Sequence, residues 1–281
     1  MVRGFRTREL PLLTGGGAAQ LDTPTARHDL GAVYLRKDLL IEATAQFERA
    51  LVADPAHVPS LLDLGRAQLR LNLPLRALET LQAAVRHDPR SAEAHAQLAR
   101  VWQAQQFGGR ALAAAAAAVK LAPDESSYRV QLAGLLVEQG RPAEAVDEYL
   151  AARSRRPRDT ALLDGLATAY GRLGRGGEAV TALEAAAALQ PGDGALLHRL
   201  GRAYLAVNQP TAAVPVLTRA VVRAPTLAQA HTDLALAHLG AGDPYAALAA
   251  LDRALAADPA HAGAAQLRGE INAKLYGGTT R

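Results

Sequence analysis

An all-α solenoid is the fold class this 281-residue sequence predicts, and three observations predict it. Seven prolines, at positions 55, 89, 123, 157, 191, 225 and 259, stand 34 residues apart without a slip, so one supersecondary unit is copied along the chain. Columns of leucine and alanine recur in phase with the prolines. Between the columns, apolar residues fall at three- and four-residue spacing, the period of an amphipathic helix.

Residues 1–23 precede the repeats. They carry Arg3, Arg6 and Arg8, a short apolar run over 10–13 interrupted by Pro11, and three glycines at 15–17. That run is too short and broken for a signal-peptide core. The segment reads as a flexible tail, with docking of Phe5, Leu10, Leu12 and Leu13 on the first repeat as the alternative. Thr23 followed by Pro24 starts the first helix, a cap residue with proline in the first turn.

Each unit then reads as two helices. The first holds a leucine 25 residues before the repeat proline (Leu30, Leu64, Leu98, Leu132, Leu166, Leu200, Leu234), always followed by glycine or alanine, which lets a facing helix come close. The turn is marked by Gly140, Gly174, Gly242, Asn72 or Asn208. Pro74, Pro142, Pro210 and Pro244 follow it, where a missing N–H costs nothing. The second helix carries two invariant alanine columns, one from Ala43 to Ala247 and one from Ala50 to Ala254, and the repeat proline stops it. Seven units result, over 24–57, 58–91, 92–125, 126–159, 160–193, 194–227 and 228–261. A last helix over 262–276, with Ala264, Leu267, Ile271 and Leu275 on one face and polar residues elsewhere, reads as a solvating cap, and 277–281 as a tail.

With these columns the chain resembles the tetratricopeptide repeat family, whose pattern is Leu-Gly and Tyr on a first helix, Ala, Phe and Ala on a second, then Pro. The resemblance covers 24–261 and implies a right-handed superhelical solenoid of seven helix-turn-helix repeats with a C-terminal capping helix. It also implies that the first helices line a concave groove, with the residues one before and two, five and six after each leucine facing it. Arginine recurs there: Arg66, Arg100 and Arg202 two after the leucine, Arg36, Arg70 and Arg172 six after it, and Arg199 one before it. Asp29, Asp63 and Asp233 interleave with them, and Asp63 stands three residues from Arg66, within reach of an ion pair. The family's carboxylate clamp of lysine, asparagine and arginine is not matched, since its places hold His28, Ala32, Asp63, Glu93 and Gln97.

Reactive constellations are missing from the sequence. It has no cysteine, hence no disulfide or thiolate site, and no phosphate loop, nucleophile elbow or His-Glu-x-x-His helix. Gly174-Arg175-Gly176-Gly177 lies at an inter-helix turn and lacks the lysine of a phosphate cradle, while His231 and His238 are two helical turns apart. Trp102 occupies the core place that Tyr34, Tyr170 and Tyr204 fill elsewhere, and the cluster from Arg153 to Arg158 caps the negative end of a helix. Aromatic residues make up 4% of the chain, too few to stack bases, so a net charge of +4 does not suggest nucleic acid.

The function these features predict is a non-enzymatic scaffold, without cofactor or metal, that binds a protein or peptide partner, an acidic segment in particular, in its groove. The alternative is a structural protein that forms homo-oligomers through its tail or solenoid ends. No apolar run is long enough to span a membrane, and the location predicted is cytoplasmic. Heavy use of Ala, Arg and Leu points to a bacterial, GC-rich source.

Overall fold

The computed structural model describes residues 23–276; the tails expected at either end, Thr23 apart, lie outside the described residues. Among these, fifteen α-helices form and no strand. The chain divides into a first unit ending at Asp124 and a second beginning at Glu125.

The first unit holds three helix pairs: α1 (Pro24–Arg36) with α2 (Leu40–Ala53), α3 (Val58–Arg70) with α4 (Pro74–His87), and α5 (Ala92–Ala104) with α6 (Gly108–Leu121). The second holds four pairs, α7 (Ser126–Glu138) with α8 (Pro142–Arg155), α9 (Thr160–Arg172) with α10 (Gly176–Leu189), α11 (Gly194–Ala206) with α12 (Pro210–Arg223) and α13 (Ala228–Gly240) with α14 (Pro244–Ala257), and ends in α15 (Ala262–Tyr276). Within each unit every helix packs against the next. First helices also touch across the hairpin between them, as α1 does α3, α3 does α5 and α11 does α13.

The repeat proline fixes where the second helices stop: each ends two residues before it, from Ala53 ahead of Pro55 to Ala257 ahead of Pro259. At the inter-helix turn one residue per hairpin has positive φ: Asp38, Asn72, Gln106, Gly140, Gly174, Asn208 and Gly242. The residue after each closes a six-residue turn by donating to a carbonyl five positions back, as Leu73 N does to Gln68 O at 2.9 Å. Asp38 and Gln106 carry no turn signal as clear as glycine or asparagine, yet they hold the same backbone state because the helices on either side impose it.

Most first helices are capped at their N-termini by side chains, α13 after Leu227 being the exception: Thr23 accepts from Ala26 N, Ser91 from Ala94 N, Asp159 from Leu162 N and Asp193 from Ala195 N and Leu196 N. The second alanine column is fully buried throughout, and Gly31 and Gly65 show why the place after the leucine is small. A Cβ there would stand 2.5 Å from the Phe47 ring or 2.6 Å from Leu81 Cγ. Trp102 is buried, with Phe107 edge-on at 5.6 Å and the Arg110 guanidinium 4.8 Å over its ring. Leu30 departs from its column: it is 39% exposed, whereas Leu166, inside the second unit, is fully buried. Among the described residues no helix is long and apolar enough to cross a membrane.

Candidate protein-binding face

The seven arginines singled out by position all lie on first helices, but they meet different surroundings. In the first unit Arg66 donates to Asp63 Oδ1 at 2.8 Å and to Glu93 Oε1 at 2.6 Å. His28 Nε2 lies 3.0 Å from Asp63 Oδ2, and Gln97 donates to the same Glu93 oxygen at 3.1 Å. A polar chain therefore runs His28, Asp63, Arg66, Glu93, Gln97 across α1, α3 and α5. Arg70 pairs with Asp38 and donates to Leu35 O at 3.3 Å. Arg36 and Arg100 are exposed, and among the described residues neither has a polar partner.

In the second unit Arg172 donates to Val137 O at 3.0 Å, and Arg199 pairs with Asp164 and donates to Thr168 Oγ1. Arg202 stands apart: it is 65% exposed and holds only a long contact, Nε to Asp233 Oδ2 at 3.8 Å. The buried Asp233 already meets His198 Nε2 at 2.6 Å and accepts from Gln229 Nε2 at 2.9 Å. Recurring arginine in the sequence thus does not amount to a uniform positive stripe. Arg66, Arg70 and Arg199 are matched by carboxylates, and pairs this exposed contribute about 0–1 kcal/mol each and leave little net field.

Three contacts share a spacing that the sequence reading did not use. His28 with Asp63, Asp164 with Arg199 and His198 with Asp233 are each 35 residues apart, one repeat plus one. Each joins the residue two before one column leucine to the residue one before the next. A search for complementary charge at an offset of 35 rather than 34 finds all three.

One hollow lies on the first-helix side of the second unit. It encloses about 460 Å³ between α9, α10 and α11, over a floor that includes Ala167, Ala179, Leu183 and Ala203, with Arg199 and Arg202 at its side. Two absent side chains make it. Gly171 stands where Leu35, Leu69, Val137, Leu205 and Leu239 stand in other repeats, and a Cβ there would meet nothing within 4 Å. Ala206 stands where Arg70 and Arg172 stand, the arginines that reach back to the carbonyls of Leu35 and Val137. On α8, against Gly165, the burial of Tyr149, with Asp164 and Glu138 adding to it, pushes that phenol above its ordinary pKa and keeps it neutral. Among the described residues no group of three His, Cys, Asp or Glu side chains is placed to hold a metal ion.

A family profile described as the tetratricopeptide repeat matches residues 62–107, 102–160, 165–230 and 232–275, most of the chain. The chain belongs to the tetratricopeptide repeat family. Solved structures show the same fold. In the APC/C hetero-tetramer Cut9–Hcn1 the matched chain is 20% identical with a TM-score of 0.62, over 88% of this chain and 48% of that one, so the present chain spans about half its length. MamA protein is 26% identical with a TM-score of 0.53, over 60% of this chain and 93% of its own. PilF of Pseudomonas aeruginosa is 19% identical with a TM-score of 0.65, over 77% and 98%. No curated protein sequence matches. The columns shared across this repeat family are packing residues, so what distinguishes the present tetratricopeptide repeat face is what stands between them, Gly171 and Ala206 foremost.

Proposed function

We propose that this tetratricopeptide repeat protein is a non-catalytic scaffold that holds an acidic segment of a partner protein along its first helices. The observation that carries the reading is the hollow between α9, α10 and α11, an apolar floor open to solvent with an unsaturated guanidinium beside it. In the first unit, on α1 and α5, Arg36 and Arg100 are also without matching carboxylates among the described residues. Such a face recognises an extended chain by its side chains, and its charge sets which chains approach.

The test is site-specific photo-crosslinking in the source cell. A benzoylphenylalanine at Thr168 or Ala32, on first helices, is expected to capture one partner band, and at Thr218 or Arg153, on second helices, none. Capture from the second helices alone would overturn the reading. Sedimentation of the purified chain across concentration separates it from self-assembly: a scaffold stays at one mass without its partner, and growth with concentration supports the assembly reading.

A further inference from the structure

The hollow is empty for two coincident reasons, and both concern groups that other repeats supply from the chain itself. Where α3 follows α1, Leu35 is buried at the end of α1 and Arg70 lies over its carbonyl. Where α9 follows α7, Val137 is buried and Arg172 lies over its carbonyl. Where α11 follows α9, the equivalent residues are Gly171 and Ala206, and neither the apolar plug nor the long cation is present. What remains is methyl and methylene surface from Ala167, Ala179, Leu183 and Ala203, which gains free energy when covered.

The charge beside it is also defined. Arg199 is turned onto Asp164 and Thr168, so it is satisfied. Arg202 is not: its Nε is 3.8 Å from a carboxylate that His198 and Gln229 already hold, and no described residue meets its two Nη groups. A guanidinium with a free fork selects a carboxylate in two-point geometry. Its volume of about 460 Å³ is toward the small end of ligand pockets, and it opens along the helix face.

Building on the scaffold reading, we infer that this hollow admits one apolar side chain of the partner segment, replacing the side chain missing at Gly171, while an aspartate or glutamate within two residues of it pairs with Arg202. The partner motif is an apolar anchor next to an acid. Apolar contact gives the affinity and the carboxylate fixes the register.

A library of random twelve-residue peptides displayed on phage, panned against the full chain, tests this directly. The expected consensus has Leu, Met, Phe or Trp with Asp or Glu one or two positions away. A synthetic peptide of that consensus is expected to lose tenfold or more in affinity for Gly171→Leu, which fills the hollow with the residue other repeats use and keeps α9 helical. Arg202→Glu is expected to lose as much, and its loss to depend on salt. Arg253→Glu, the same charge change on α14, keeps the affinity within twofold. Peptides enriched in Lys or Arg, or acidic peptides that bind Gly171→Leu as well as the parent chain, overturn the inference while leaving the scaffold reading standing. Failure to enrich any peptide overturns both.

Discussion

The first helices of the two units are built from the same columns, yet in the first unit a chain of polar side chains links α1, α3 and α5, whereas in the second a hollow is left between α9 and α11. Across α1, α3 and α5, every group between His28 and Gln97 on the polar chain finds a neighbour, with Arg66 bridging Asp63 and Glu93. Across α9 and α11, Gly171 and Ala206 withdraw the side chains that would close the face, and Arg202 reaches only a carboxylate already taken. The lesson is that the repeat's periodic residues fix helix placement, whereas the open place arises where α9 carries glycine in place of the apolar residue found at 35, 69, 137, 205 and 239.

The strongest expected contrast is between a glycine at the close-approach place, Gly65 in the first unit, and a glycine on the open face, Gly171 in the second. Gly65→Ala puts a Cβ 2.6 Å from Leu81 Cγ, and Leu81 is fully buried and has nowhere to move. The overpacking outweighs the gain in helix propensity, for a net loss of about 1–2 kcal/mol. Gly171→Ala meets nothing and is expected to gain about 0.5–1 kcal/mol. Because neighbouring repeats unfold semi-independently, amide exchange read separately in α3–α4 and α9–α10 is the appropriate measure. Equal signs in the two variants would show that the close-approach place and the open face do not differ in packing.

A smaller effect separates the arginines. Arg66→Ala removes two ion pairs at once and is expected to cost about 0.5–1 kcal/mol, a loss that shrinks at about 1 M salt, where screening acts over roughly 3 Å. Arg202→Ala, with one long contact, is expected to leave stability within about 0.5 kcal/mol. Chemical denaturation of both variants at two salt concentrations checks this, and a larger cost for Arg202→Ala would mean that its contact to Asp233 is structural.

These contrasts also mark what the sequence disclosed. The 34-residue columns foretold the helix pairs and the stops before each proline, because those residues act through local geometry and close approach. Asp38 and Gln106 hid their left-handed turns, since neither residue type announces positive φ and only the phase of the repeat assigns it. Arginine positions were legible and their partners were not: Glu93 lies 27 residues from Arg66, and Asp38 lies 32 from Arg70, distances that no helix-face rule reaches. The hollow was the least legible feature, because it consists of absent side chains at 171 and 206 that matter only once α9 and α11 are side by side.

The smallest effect sharpens a contrast between two helix starts in the two units, α3 and α15. His57 Nδ1 accepts from Ser60 N at 3.3 Å at the start of α3, and His261 Nδ1 accepts from Ala264 N at 3.1 Å at the equivalent place six repeats later. An imidazole can cap in this way only while that nitrogen is unprotonated. Burial, followed by the neighbouring His28 ring, holds His57 below its ordinary pKa, against weaker opposing pulls from Asp54 and Asp29. The unfolded chain therefore takes up the proton first as pH falls. The cap's contribution is complete above about pH 6.5 and declines as pH drops through that value toward the lower folded one. His57→Ser keeps a capping acceptor that does not titrate. Thermal melts at about pH 7.5 and about pH 5.5, on either side of the histidine range, are expected to show a smaller drop for the variant than for the parent chain. Identical drops would place the acid sensitivity in other histidines and leave the His57 cap without a pH-dependent part.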